Sequence, residues 1–155
     1  MAREFMSAYL NDHLAGAQAA LEIVGLLDEL GDSGVWRSIG MAIAEDRDEL
    51  LRLVDTVGPP PSTLRRAAGW TAEKLAELKI RLDDPSSGAL RRLELIEALA
   101  IGIDGKRALW TALQRGANGK TGLGPVNYQR LIARADEQRQ IVEAERLEAA
   151  AQALR

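Results

Sequence analysis

Apolar residues recur at three- and four-residue steps through four long stretches of this chain, and that recurrence restricts it to helices more firmly than any other feature. In the first stretch, from about Arg3 to Leu30, the recurring positions are Leu10, Leu14, Ala17, Leu21 and Val24. Trp36, Ile39, Ile43, Leu50, Leu53 and Val57 trace a second stripe that continues to Gly58. A third, between about Ala89 and Arg115, uses Leu90, Leu93, Ile96, Ala100, Ile103 and Trp110, with Leu95, Leu99 and Ile101 widening its apolar surface. The last runs from about Val126 to near the C-terminus through Tyr128, Leu131, Ile132, Ala135, Val142 and Ala149. Aromatic residues are only 4% of the chain and β-branched alternation is missing, so the expected fold is all-α.

The punctuation between the stripes predicts how the helices connect. Gly31-Asp32-Ser33-Gly34 ends the first helix, and Asp32 or Ser33 is placed to cap the second. Pro59-Pro60-Pro61 ends that one. Ser62 is placed to cap a shorter helix carrying Leu64, Ala67, Ala68, Leu75, Leu78 and Leu82, which stops before Asp83-Asp84-Pro85. The four long segments have roughly 23 to 30 residues each, or about 35 to 45 Å. A short connection in the first long pair and a moderate one in the last let each fold back as an antiparallel hairpin, and the stretch from Gly58 to Gly88 is long enough to carry the chain from one end of the bundle to the other. With 155 residues and 46% hydrophobic composition, residues 1–155 are expected to form a single helical-bundle domain.

Composition removes several classes of function. The formal net charge is -3, so there is no overall positive field to attract nucleic acid or anionic membrane. Cysteine is absent, which excludes disulfides, Cys-ligated zinc, iron–sulfur clusters and thiol nucleophiles. The N-terminal stretch meets Asp12 and His13 soon after its first apolar residues, unlike a signal peptide, and no apolar run approaches the roughly 18 residues of a membrane span. A cytoplasmic location is the expectation.

Residues 114–121, QRGANGKT, carry Gly119, Lys120 and Thr121 in the order of a phosphate-binding loop. The motif needs an additional glycine where this chain has Gln114, because the backbone must wrap tightly for its N–H groups to converge on phosphate. It must also follow a strand and open a helix, whereas this stretch follows a helix and runs into Gly122-Leu123-Gly124-Pro125. No nucleotide is expected there.

The order of four long helices with a helical crossover resembles the ferritin-like superfamily, and the phrases YLNDHLAGA and GIDGKRALW are similar to those of small bacterial helical proteins of that type. The resemblance implies a bundle of two antiparallel hairpins with a short extra helix in the crossover. It also implies a test, because ferritin-like di-iron sites take one Glu from each of two helices and a Glu-x-x-His pair from each of the others. His13 is the only histidine, so two such pairs are impossible.

An atypical carboxylate site for iron or manganese would have to draw on His13, Asp46, Glu49, Glu97 and Asp104, since hard cations accept such ligands. Against it, Asp136 is followed three residues later by Arg139, whose guanidinium would repel a metal. Asp46 falls on the apolar stripe between Ile43 and Leu50, and Arg139 falls between Ala135 and Val142. Buried charge must be paired, so these positions predict a polar layer inside the bundle formed by His13, Asp46, Asp104 and Arg139.

Helical spacing assigns Trp36 and Trp110 to the core and leaves Trp70, on the short crossover helix, as the candidate for an interface. Gly102 and Gly105 interrupt a helix at about 1 kcal/mol each, which close packing or a functional site would explain. Leu147, Ala150 and Leu154 lie in an Ala/Glu/Arg-rich end suited to pairing with another chain. The leading expectation is therefore a bacterial-type, ferritin-like bundle without a complete di-iron centre. It would hold no cofactor and serve as a non-enzymatic association or scaffold module, with a dimer partner or another protein. The alternatives are the atypical metal site and a small-ligand binder, the latter predicting an enclosed apolar cavity with polar groups at its edge.

Overall fold

The computed structural model describes residues 2–31, 34–58, 88–116, 123 and 125–155. The expected crossover helix with Trp70 and the stretch containing Gly119, Lys120 and Thr121 lie outside these residues, as do the proposed caps Asp32 and Ser33. Every described element is helical: α1 spans Ala2–Leu30, α2 Gly34–Val57, α3 Gly88–Gly116 and α4 Tyr128–Ala153. None of them is long and apolar enough to cross a membrane.

Local chemistry sets several of these limits. The Asn127 side chain accepts a hydrogen bond from the Arg130 backbone N–H at 3.0 Å and fixes the start of α4 just beyond Val126, where periodicity alone had placed it. At the far end of α2, Gly58 has φ +92° and its N–H reaches the Val54 carbonyl at 2.8 Å. A side chain there would be strained, and glycine closes the helix without that cost. Arg3 Nε and Ser7 Oγ from α1 donate to the Val57 and Gly58 carbonyls at 2.8 and 2.7 Å, tying the beginning of α1 to the end of α2.

The core divides into two regions, and their membership gives the direction of each helix. One joins Leu27 of α1, Trp36 and Ile39 of α2, Leu93 and Ile96 of α3, and Ala149 of α4. The other joins Leu10, Leu53, Leu113 and Leu131 from the opposite ends of the same four helices. Helices α1 and α4 therefore run one way and α2 and α3 the other. The ends connected by residues 59–87 lie about a helix length apart, since Val57 belongs with Leu113 while the start of α3 places Arg92 against Gly31. Trp36 and Trp110 are both fully buried, one in each region, where each large side chain contributes roughly 1.5–3 kcal/mol relative to exposure.

Candidate functional site: a buried charge layer and the cavity beside it

Asp46 sits near the middle of α2 on the stripe that carries Ile43 and Leu50, so the helix turns its carboxylate into the bundle, where only 1% of the residue is exposed. Lys106, on the inward face of α3, brings its Nζ to 2.5 Å from Asp46 Oδ2 and also donates to Gln138 Oε1. Gln138, from α4, completes the arrangement by donating its Nε2 to the same Asp46 oxygen at 3.2 Å. One carboxylate, one ammonium and one amide thus join three helices at mid-bundle. Arg134 closes the α4 side: its Nη2 donates to the Ala42 carbonyl and to Glu45, and lies 3.3 Å from Asp46 Oδ1. That last contact is one of charge, because Asp46 Oδ1 has no hydrogen-bond partner among the described residues.

Burial pushes the Lys106 ammonium below the ordinary lysine value; the charge and hydrogen bond of Asp46 oppose the shift, and Arg134 adds to it. Burial also lowers His13 below its usual value, while the neighbouring Asp12 pulls it back up. The imidazole is half-buried and meets the edge of Tyr9, with ring centroids 4.8 Å apart and planes 79° apart.

The remaining candidates are distributed differently from the expectation. Arg139 was placed in the interior layer, but it lies on the outer α3/α4 groove, with Nε 3.3 Å from Asp104 and Nη1 2.8 Å from Glu143. Asp104 is more than half exposed there. Asp104 and Arg139, expected in one layer, do pair; the difference is the helix face. The interior position belongs to Gln138. Glu49 pairs with Arg52 on α2, and Glu97 lies 3.5 Å from Arg146 on α4. Glu143 accepts from Arg146 and Arg139, and these hydrogen bonds hold its carboxyl down to about 2. His13, Asp46, Glu49, Glu97 and Asp104 do not converge, and among the described residues no three His, Cys, Asp or Glu side chains stand where they could share a metal ion. The donor set at the layer does not fit a ferritin-like di-iron group either, because an ammonium already occupies the buried carboxylate.

Lys106 is the residue that the sequence reading passed over. Its signal was present: Leu99, Ile103, Lys106 and Trp110 follow one another at four, three and four residues, the spacing of a single face. A cation on an apolar stripe of α3 faces a lone anion on an apolar stripe of α2.

Between α1, α2 and α3, next to this layer, lies a cavity of about 160 Å³. Its walls are chiefly apolar, with Ala17, Ala20, Ile43, Leu50, Ile103 and Leu109 contributing. His13, Asp46, Lys106 and Trp110 supply polar groups at its edge. Gly16, Gly102 and Gly105 also line it, and a Cβ added at any of the three would meet nothing within 4 Å among the described residues. Close packing therefore does not account for the glycines of α3, and the helix continues unbroken through both. The indole N–H of Trp110 is buried with no hydrogen-bond partner among the described residues. Compared with known proteins, the chain matches no family model, no curated protein and no solved structure.

Proposed function

We propose that this chain is a ferritin-like four-helix bundle without di-iron chemistry that acts by association, pairing with a second copy of itself. The observation that carries the reading is Lys106: its ammonium is held by Asp46 and Gln138 at mid-bundle, so protein side chains balance the interior charge that a metal would otherwise balance. The helix directions support the ferritin-like part, since α2 and α3 run parallel with their connected ends at opposite ends of the bundle.

Helix α4 supports association. Of the expected positions Ala150 packs against the core, whereas Ala144, Leu147, Ala151 and the C-cap residue Leu154 are all exposed and follow one another at three- and four-residue steps, on the side opposite Ala135, Val142 and Ala149. Leu147 is 56% exposed and Leu154 73%. The stripe is about 15 Å long and outlined by charged residues. A single narrow stripe is self-complementary about a two-fold axis, which makes a second copy the simplest occupant.

Light scattering on the purified full chain tests this. A dimer that the double substitution Leu147→Glu and Leu154→Glu converts to a monomer of equal helix content supports the proposal; a wild type that stays monomeric at high concentration contradicts it. Elemental analysis of protein purified without chelator addresses the metal reading separately. Stoichiometric iron or manganese that disappears in His13→Ala would overturn the account of the interior.

A further inference from the structure

The cavity is more than a gap in the packing. Helix-interior glycine costs roughly 1 kcal/mol relative to alanine, and alanine would fit at Gly16, Gly102 and Gly105 without touching a neighbour among the described residues. Gly105 thus leaves space open on the cavity side, and the exposed Gly16 and Gly102 leave its mouth clear, at positions where alanine would strengthen the helices. The volume, about 160 Å³, is close to the roughly 150 Å³ at which an apolar cavity accepts one benzene-sized molecule. Asp12, Gly16 and Gly102 are exposed on its rim, so the space reaches the surface between α1 and α3.

Two buried groups give the cavity chemical preference. Trp110 has no exposed surface, lines the cavity and holds an indole N–H with no partner among the described residues. A buried donor left unpaired costs about 1–3 kcal/mol, which a ligand acceptor would recover. Lys106, which also lines the cavity, gives two of its three N–H bonds to Asp46 and Gln138, which leaves one donor without a partner among the described residues. Asp46 and Lys106 balance each other, Arg47 of the lining is paired with Asp48 and Asp12 is exposed at the rim, so a ligand charge placed beside Trp110 would stand uncompensated among apolar side chains.

We infer that this cavity is a binding site for a neutral, single-ring molecule carrying a hydroxyl or carbonyl oxygen, which accepts a hydrogen bond from Trp110. The site lies between α1, α2 and α3, away from the outer face of α4, so it stands independently of the association proposed above. The ring fills the space kept by the glycines. The oxygen turns toward the indole N–H and the free Lys106 donor.

Phenol is the direct probe, with benzene and benzoate as controls. With ¹⁵N-labelled tryptophan, the Trp110 indole signal, assigned by its loss in Trp110→Phe, should move downfield and saturate as phenol is added. Benzene should bind without the downfield movement, and benzoate at least about tenfold more weakly than phenol. Gly105→Leu, which projects a side chain into the cavity, should abolish the saturable shift while leaving helix content and melting temperature at or above wild type. Trp110→Phe, followed through ligand signals, should weaken phenol by about tenfold and benzene hardly at all. A shift that does not saturate, or that survives in a folded Gly105→Leu variant, overturns the proposal; so does benzoate binding as tightly as phenol.

Discussion

Replacing Asp46 by leucine strands the Lys106 ammonium, and the structure limits what that can cost. Lys106 is mostly buried, with Gln138 Oε1 as its remaining acceptor among the described residues. A stranded lysine has an escape, which is to lose its proton on folding. From the ordinary value of 10.5, giving up that proton costs about 5 kcal/mol at pH 7 and about 2 kcal/mol at pH 9. These figures are ceilings on the part of the destabilisation that comes from the stranded charge, to which Gln138 Nε2, left without its acceptor, adds about 1–3 kcal/mol at either pH. Once the folded Asp46→Leu variant holds Lys106 neutral, its unfolded chain binds one more proton than its folded form at any pH below 10.5. Its stability must then rise with pH by up to about 1.4 kcal/mol per unit relative to wild type.

Lys106→Met strands the carboxylate instead. Asp46 keeps Gln138 Nε2 and the Arg134 charge, and the loss should be about 3–5 kcal/mol without that upward slope between pH 7 and 9. The double variant removes both charges and should recover most of the loss, falling short by the roughly 1–3 kcal/mol that Gln138 costs without its partners. Urea unfolding followed by circular dichroism at pH 7 and pH 9 measures all four proteins. An Asp46→Leu loss below about 1 kcal/mol, or one that does not shrink with pH, would refute the reasoning.

Three further outcomes follow from individual contacts. His13 is the only histidine, so its imidazole proton resonance should titrate in isolation with a midpoint below 6.5, and Asp12→Asn should lower it further. Because the unfolded chain binds the proton more readily in the window just under 6.5, stability should decline as pH falls through it, and His13→Gln should flatten that decline. Asn127→Ala removes the acceptor for the Arg130 N–H and should cost about 1 kcal/mol in urea unfolding. Arg139→Ala should cost less than about 1 kcal/mol, because its pairs with Asp104 and Glu143 lie on the outer groove; a loss of several kcal/mol would return Arg139 to the interior.

The helices were legible because their apolar residues repeat over many turns, and a pattern that long outweighs local exceptions. The second helix read correctly almost residue by residue: Trp36, Ile39, Ile43, Leu50, Leu53 and Val57 are all buried, and Asp46 with them. The polar layer was only half legible. On α4 the stripe between Ala135 and Val142 passes between Gln138 and Arg139, each about 50° from its centre at 100° per residue. Spacing cannot choose between two positions placed so symmetrically. The neutral amide is cheaper to bury, and Arg139 finds carboxylates outside at Asp104 and Glu143. Lys106 was not legible as an interior cation, because a lysine on an apolar stripe can lay its stem over the core and carry its ammonium out to water. A cavity beside the polar layer stood among the alternatives, but its place between α1, α2 and α3 was not readable, because Gly102 and Gly105 signify close packing or open space with equal ease until the opposing helix is in place.

The central claim is that an ammonium, held by Asp46 and Gln138, stands at the middle of the bundle. Its most direct test is the side-chain ¹⁵N spectrum of lysine-labelled protein, recorded while manganese is added to one equivalent. There are four lysines. The account predicts one slowly exchanging ammonium signal, absent in Lys106→Met, displaced in Asp46→Asn and unbroadened by the metal. A spectrum with no protected ammonium, or one in which that signal disappears stoichiometrically with manganese, would contradict it.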